Sequence, residues 1–159
     1  MADRETTALR SAPDRPGRGR RQDYVLPRSI PTRWMDNDVY GHVNNVVYYS
    51  FFDTAVNAAL IERGLLDPAS SEVIGLVAET GCRYHASLSF PEAVTAMLRV
   101  AHLGRSSVRY EIGLFAEGGD LAAAEGHFVH VYVDSQTRRP TALPEQLRTF
   151  LETLRAERA

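Results

Sequence analysis

The spacing of hydrophobic positions changes along the chain and divides it into elements. From Asn45 to Arg63 the period is helical: Tyr48, Phe51, Phe52, Ala55 and Ala59 share one face, beside a narrower polar stripe of Ser50, Asp53, Thr54 and Asn57. Val47, Val56 and Leu60 widen the apolar side, so the spacing predicts a helix buried on most sides. Gly64 stands where a helix C-terminus favours left-handed backbone, and a polar loop follows over Asp67–Glu72. Beyond it the period drops to two. Cys82, Tyr84, Ala86, Leu88 and Phe90 alternate with polar residues as far as a turn at Pro91-Glu92, and Val94, Ala96, Leu98 and Val100 repeat the pattern. A polar corner, Gly104-Arg105-Ser106-Ser107, precedes Val108, Tyr110, Ile112 and Leu114. Gly118-Gly119-Asp120 is a hairpin signal before a last strand ending in Val129-His130-Val131-Tyr132-Val133. After a turn over Asp134–Pro140, Pro144 fits the first turn of a helix with the stripe Leu147, Phe150, Leu151 and Leu154. Upstream, Val25–Trp34 reads as an extended segment carrying Pro27 and Pro31.

One long apolar helix and several strands joined by short turns can satisfy each other only face to face. The expected class is α+β, an antiparallel sheet curled round a central helix. A length of 159 residues suits one such domain.

Charge refines the boundaries. Residues 1–21 hold six arginines and three acids, a sum of +3, whereas residues 22–159 hold twelve arginines and seventeen acids, a sum of −5. This reads as a disordered basic tail over 1–24 on an acidic domain over 25–159. Arg15, Arg18, Arg20 and Arg21 could form a nucleic-acid arm, but no aromatics interleave with them and the body is acidic, so nucleic acid is not expected as a partner. No apolar run suggests a signal peptide or a membrane span, which leads us to expect a cytoplasmic protein with no membrane partner. All eighteen basic residues are arginine, which excludes Schiff-base and P-loop lysine chemistry. The single Cys82 alternates with core residues and is expected to be inert.

The candidate chemistry lies in Asp36-Asn37-Asp38-Val39-Tyr40-Gly41-His42-Val43-Asn44-Asn45, directly before the long helix. A helix start offers unpaired N–H groups for developing negative charge, and Asp38 could act beside it as base or nucleophile. The plainer reading is that Asp38, Asn44 or Asn45 caps the helix and Gly41 supplies a turn. A calcium loop fails because Val47 stands where a bidentate Glu is needed, and Asp36, Asp38 and His42 have no recognised metal spacing. No metal is expected.

These residues resemble the signature of hotdog-fold acyl-CoA thioesterases of the 4-hydroxybenzoyl-CoA thioesterase type. The resemblance runs over roughly residues 28–150, taking in the Gly104–Ser107 corner and the closing Val131-Tyr132-Val133-Asp134. It implies a hotdog fold and hydrolysis of an acyl-CoA thioester to a free acid and coenzyme A. Asp38 would be the catalytic carboxylate and the backbone N–H of Asn45 would hold the carbonyl oxygen. His42 would orient Asp38 or simply satisfy the loop, and Asp36 would shape it. Gly41 and Tyr48 would line the substrate site. Arg105, Ser106 and Ser107 would meet the coenzyme A phosphates, with Arg109, Arg138 and Arg139 as weaker candidates. Coenzyme A enters as part of the substrate, with no separate cofactor. A homodimer or a homotetramer built as a dimer of dimers is the implied assembly. Two rival readings are an acyl-CoA-binding module that does not need Asp38, and a hotdog dehydratase, whose Asp…Pro-x-His arrangement is missing. Glu79 is a second carboxylate worth a mutation.

Overall fold

The structure is a computed structural model that describes residues 17–156. Five strands, β1 (Leu26–Ile30), β2 (Val73–Tyr84), β3 (Val94–Leu103), β4 (Ser107–Phe115) and β5 (Ala124–Asp134), form one antiparallel sheet in the order β1-β3-β4-β5-β2. Helix α1 (Val47–Glu62) lies against its inner face and α2 (Glu145–Thr153) closes one end. This is the expected hotdog arrangement.

The long helix forms where its period places it. Tyr48, Phe51, Phe52, Ala55, Val56, Ala59 and Leu60 are all buried, while Ser50, Asp53 and Thr54 stay exposed. Gly64 takes φ 67°, its N–H donating to Ile61 O and that of Leu65 to Leu60 O, so the terminal carbonyls are closed by a left-handed cap. Opposite, β3, β4 and β5 bury alternate side chains: Val94, Ala96, Leu98 and Val100, then Val108, Tyr110, Ile112 and Leu114, then Phe128, His130 and Tyr132. Contact between helix and sheet is close at Gly126, where an added Cβ would stand 2.2 Å from the Phe52 ring. Leu147, Leu151 and Leu154 complete the core from α2, with Pro144 at the N-cap rather than inside the first turn.

Two expectations move. The alternating run Cys82–Phe90 is not one strand: β2 ends at Tyr84 and extends back to Val73. Past Tyr84 the N–H groups of His85 and Ala86 converge on Ala123 O, and the chain leaves the sheet to meet the loop before α1. The first half of β2 escapes a period-two reading because it is a sheet edge, exposed through most of its middle.

The boundary expected at Val25 also shifts. Arg18 donates twice to Ala122 O, Arg21 donates to Gly119 O and Ala116 O, and Arg20 pairs with Asp120 at 2.6 Å. Guanidinium forks here find the free carbonyls of the β4–β5 turn, so residues 17–24 form a strap on the outer sheet face. Tyr24 packs there with Met97, Phe115 and Ala122 in a small second core. The rest of the expected tail, residues 1–16, lies outside the described residues.

Candidate active site

The loop before α1 is a narrow hairpin. Asn37 bridges Val43, Asp38 N–H donates to His42 O at 2.8 Å, and Gly41 N–H donates to Asp38 O at 3.1 Å. Gly41 closes this turn at φ 80°, where a side chain would be strained. A neighbouring segment steadies the hairpin: Val43 N–H donates to Leu88 O, Ser89 Oγ to Gly41 O, and Phe90 N–H to Asn37 Oδ1.

The two aspartates do different work. Asp36 is 1% exposed. Its Oδ1 accepts from the Arg33 guanidinium at 2.8 and 3.1 Å, its Oδ2 accepts Arg33 N–H at 2.7 Å, and its backbone carbonyl accepts Asn44 N–H at 2.8 Å. A carboxylate so enclosed is a brace, and the shaping role expected for Asp36 is what its contacts describe. Asp38 is partly open. Its Oδ1 accepts Tyr40 N–H at 2.8 Å, and its Oδ2 has no partner among the described residues. One carboxylate oxygen is therefore held and the other is free to meet a substrate.

At the helix start, Asn44 takes two donors: its Oδ1 accepts Val46 N–H at 3.1 Å and its carbonyl accepts Val47 N–H at 2.9 Å. None of the expected capping residues holds the N-cap: Val46 stands there with no side-chain cap bond, and Asn44 forms an Asx turn just ahead of it. Asn45 N–H has no acceptor among the described residues, so the donor assigned to the carbonyl oxygen is exposed and unspent. The His42 side chain is exposed and unbonded among the described residues, and its carbonyl serves the hairpin.

Tyr48, expected among the substrate contacts, belongs to the core: its ring packs edge-on against Tyr84 with centroids 4.9 Å apart. Burial raises its phenol pKa, with a smaller contribution from the Asp38 carboxylate, which stands near enough to be felt. Around the loop, apolar side chains stand in solvent, including Val39 at 93% and Tyr40 at 82%, with Trp34, Met35 and Val46 beside them. Five large apolar side chains exposed around one loop make that surface unusually apolar.

The Gly104–Ser107 corner is elsewhere. Its backbone is fastened to α2, with Arg148 donating to Gly104 O at 2.7 Å and Leu143 N–H to Arg105 O at 3.0 Å. The Arg105 side chain is exposed. Tyr84, which touches the site, pairs through Ala124 with Leu114 of β4, whereas Ser107 begins that strand. The seven-residue interval from Ser107 to Leu114 spans roughly 23 Å, so within one chain Arg105 and Asp38 lie at opposite ends of the sheet. Sequence order gives no hint of this separation. Glu79 sits on the outer sheet face, bonded to His127 at 2.8 Å and Arg109 at 3.5 Å, as part of an ion-pair ladder. Burial pushes the Cys82 thiol up to about 11, which keeps it protonated and inert at neutral pH. Among the described residues no group of three or more His, Cys, Asp or Glu could hold a metal ion, and no helix is long and apolar enough to cross a membrane.

Tyr84 was legible in the sequence only as an alternating core position. It also reaches the site, donating its hydroxyl to Asn45 O at 2.8 Å.

Comparison with known proteins adds an independent line. The family model of the thioesterase-like superfamily matches residues 32–151. The crystal structure of the PA5185 protein from Pseudomonas aeruginosa strain PAO1 is 53% identical, with a TM-score of 0.87 over 89% of this chain and 99% of that one. The PA2801 protein of Pseudomonas aeruginosa is 29% identical, with a TM-score of 0.75 over 80% and 98% of the two chains. The DHNA-CoA thioesterase of Staphylococcus aureus shares the fold at 22% identity, with a TM-score of 0.68 over 80% and 86%. A search of the curated proteins returned no significant match.

Proposed function

The chain belongs to the thioesterase-like superfamily, a thioester hydrolase of the hotdog fold, and from that premise we propose that it hydrolyses acyl-CoA thioesters through Asp38 and the Asn45 N–H. One observation carries the reading: a carboxylate with an oxygen unbonded among the described residues stands in the hairpin that leads into α1, and the Asn45 N–H just before that helix has no acceptor among the described residues.

The chemistry follows from that pairing. The thioester carbonyl oxygen accepts the Asn45 N–H, where the helix dipole favours the charge that develops on it. In one route Asp38 Oδ2 takes a proton from water as the water oxygen bonds to the carbonyl carbon. The C–S bond then breaks and the proton passes to the leaving thiolate. In the other route Oδ2 itself bonds to the carbonyl carbon and expels the thiolate, and water cleaves the resulting anhydride. Single-turnover hydrolysis in ¹⁸O-water separates them, since only the second route leaves label in Asp38.

The assembly follows from the separation of Arg105 and Asp38. A two-fold axis pairing β2 with β2 of a second copy sets the Tyr84 end of one strand beside the Val73 end of the other, which carries the partner's Arg105 corner towards this chain's Asp38. Arginine forks and hydroxyls there suit the phosphates of coenzyme A. The exposed apolar residues of the loop would be covered by the same contact. We assign the active unit as a homodimer, acting in the cytoplasm.

The test is thiol release from butyryl-, palmitoyl- and benzoyl-CoA by the wild type, Asp38→Asn and Asp38→Ala. Loss of at least 10²-fold in kcat is expected for both variants, the range set by removing an acid–base group. Wild-type rates in both would refute the assignment. Binding of the esters without thiol release by the wild type would favour a binding module.

A further inference from the structure

The bonds around the start of α1 single out one residue, Asn45, between two peptides that are each held. Val46 N–H and Val47 N–H are both taken by Asn44, through its side chain and its carbonyl. Asn45 therefore faces the site with its own N–H as the unspent donor, and its conformation decides where that donor points. The Asn45 carbonyl is gripped from outside the helix and the loop: Tyr84, the last residue of β2, donates its hydroxyl to it at 2.8 Å. The phenol is itself steadied edge-on by the buried Tyr48, at 79° between the rings.

We propose that Tyr84 is a positioning residue, fixing the Asn45 backbone so that its N–H meets the carbonyl oxygen in the transition state. The inference rests on the reading of Asp38 and Asn45 given above and goes one step beyond it. Two features separate this role from fold maintenance. Tyr84 is 45% exposed, so its hydroxyl bond competes with water and is worth little to stability. Its acceptor is the carbonyl of the peptide that directly follows the donor, so the bond restrains the backbone torsions of Asn45 beside the N–H. Displacing a donor by a few tenths of an ångström costs more towards an oxyanion than towards a neutral carbonyl, because the charge-assisted bond is the shorter and stronger of the two. The effect belongs in kcat. Tyr84 also ends the open edge strand, so the contact ties the site to the same strand that would receive the second copy.

The experiment is Tyr84→Phe, which keeps the ring against Tyr48 and removes only the hydroxyl. It is run beside Asp38→Asn with whichever of butyryl-, palmitoyl- and benzoyl-CoA the wild type hydrolyses fastest. Expected is a roughly tenfold fall in kcat, KM within twofold, and unchanged Tm and molecular mass. Binding of trifluoroacetonyl-CoA, whose ketone forms a tetrahedral oxyanion-like adduct, should weaken by the same factor, and binding of acetonyl-CoA should not. Wild-type kcat in Tyr84→Phe, with Asp38→Asn inactive, overturns the positioning role and leaves the Asp38 reading standing. A fall in Tm that accompanies the loss of kcat overturns it as well, in favour of a fold role. An active Asp38→Asn removes both.

Discussion

The two edges of the sheet are built oppositely. β1 is five residues long and carries Pro27, and its Arg28 is ion-paired to Glu62 of α1. A short strand with a proline and a paired charge is a poor template for another strand. β2, at the other edge, is twelve residues long with no proline, and Leu76 and Val77 stand exposed on it. A bulge at Val77/Glu79 and the charge of Glu79 interrupt it, yet a long proline-free edge with exposed apolar side chains is what soluble monomers avoid. The contrast is between a blunted edge and an open one, and the open one is where the proposed second copy would add. The open side is also the one that holds Tyr84 and hence touches the candidate site. The proposed assembly and the proposed chemistry thus share one strand.

The largest expected effect comes from closing the open edge. Val77→Lys places a charge where the second copy would pair. If the site needs the partner's Arg105 corner, the variant runs as a monomer by light scattering and loses at least 10²-fold in kcat/KM, about 3 kcal/mol of transition-state binding. A dimer of full activity after this change would mean that β2 is not the joining edge, and the comparison would lose its functional meaning.

The halves of the core differ in the same sense. Beneath β1 and β3 the interior is hydrocarbon, with Ala55, Val94, Ala96 and Leu98. Beneath β4 and β5 it holds a Tyr110–Tyr132 hydroxyl pair at 2.7 Å and His130, which is 2% exposed with no partner for its Nε2 among the described residues. Burial lowers the His130 pKa to about 4, against a small opposing pull from Asp53. The folded protein therefore keeps this imidazole neutral while the unfolded chain protonates it below about 6.5. Stability from this group is complete above that pH and declines as pH falls from about 6.5 to about 4, by about 3 kcal/mol in total. Urea midpoints across that window should fall for the wild type and flatten for His130→Phe. Equal slopes would show that His130 is protonated in the fold.

Much of this was legible in the sequence, for physical reasons that differ by element. The face of α1 and the alternation in β3 and β4 were readable because each has one buried side, and burial imposes a period. The motif was readable because Gly41, Asp38 and Asn44 have few substitutes in a tight turn feeding a helix. The first half of β2 was not readable, since an edge strand exposed on most of its length carries no strict alternation. Nor was the strap: Arg18, Arg20 and Arg21 look like a solvated basic run until the carbonyls of the β4–β5 turn are seen beside them. The distance between Arg105 and Asp38 was hidden too, because a motif list carries no topology. Tyr84 escaped because its place in the alternating run reads as core, whereas the side chain is half exposed and its hydroxyl reaches Asn45.

The smallest effects test whether the closed side is closed by the strap or by the edge. Arg21 makes two hydrogen bonds to backbone carbonyls of the β4–β5 turn, and its guanidinium stands 5.0 Å from the centre of the Phe115 ring. These contacts are partly buried, so Arg21→Ala should lower stability by about 1–2 kcal/mol. The Arg28–Glu62 pair has Glu62 half in water, and Arg28→Ala should cost less than about 1 kcal/mol. Neither residue borders Asp38 or β2, so both variants should keep the wild-type mass and kcat. The ratio of the two costs, read from urea midpoints at fixed slope, is the informative quantity. If Arg28→Ala proves the dearer, the edge pair rather than the strap secures this side. A change of mass in Arg28→Ala would be more serious, because it would mean that β1, deprived of one charge, also accepts a strand, and that its short length and Pro27 are not enough to blunt it.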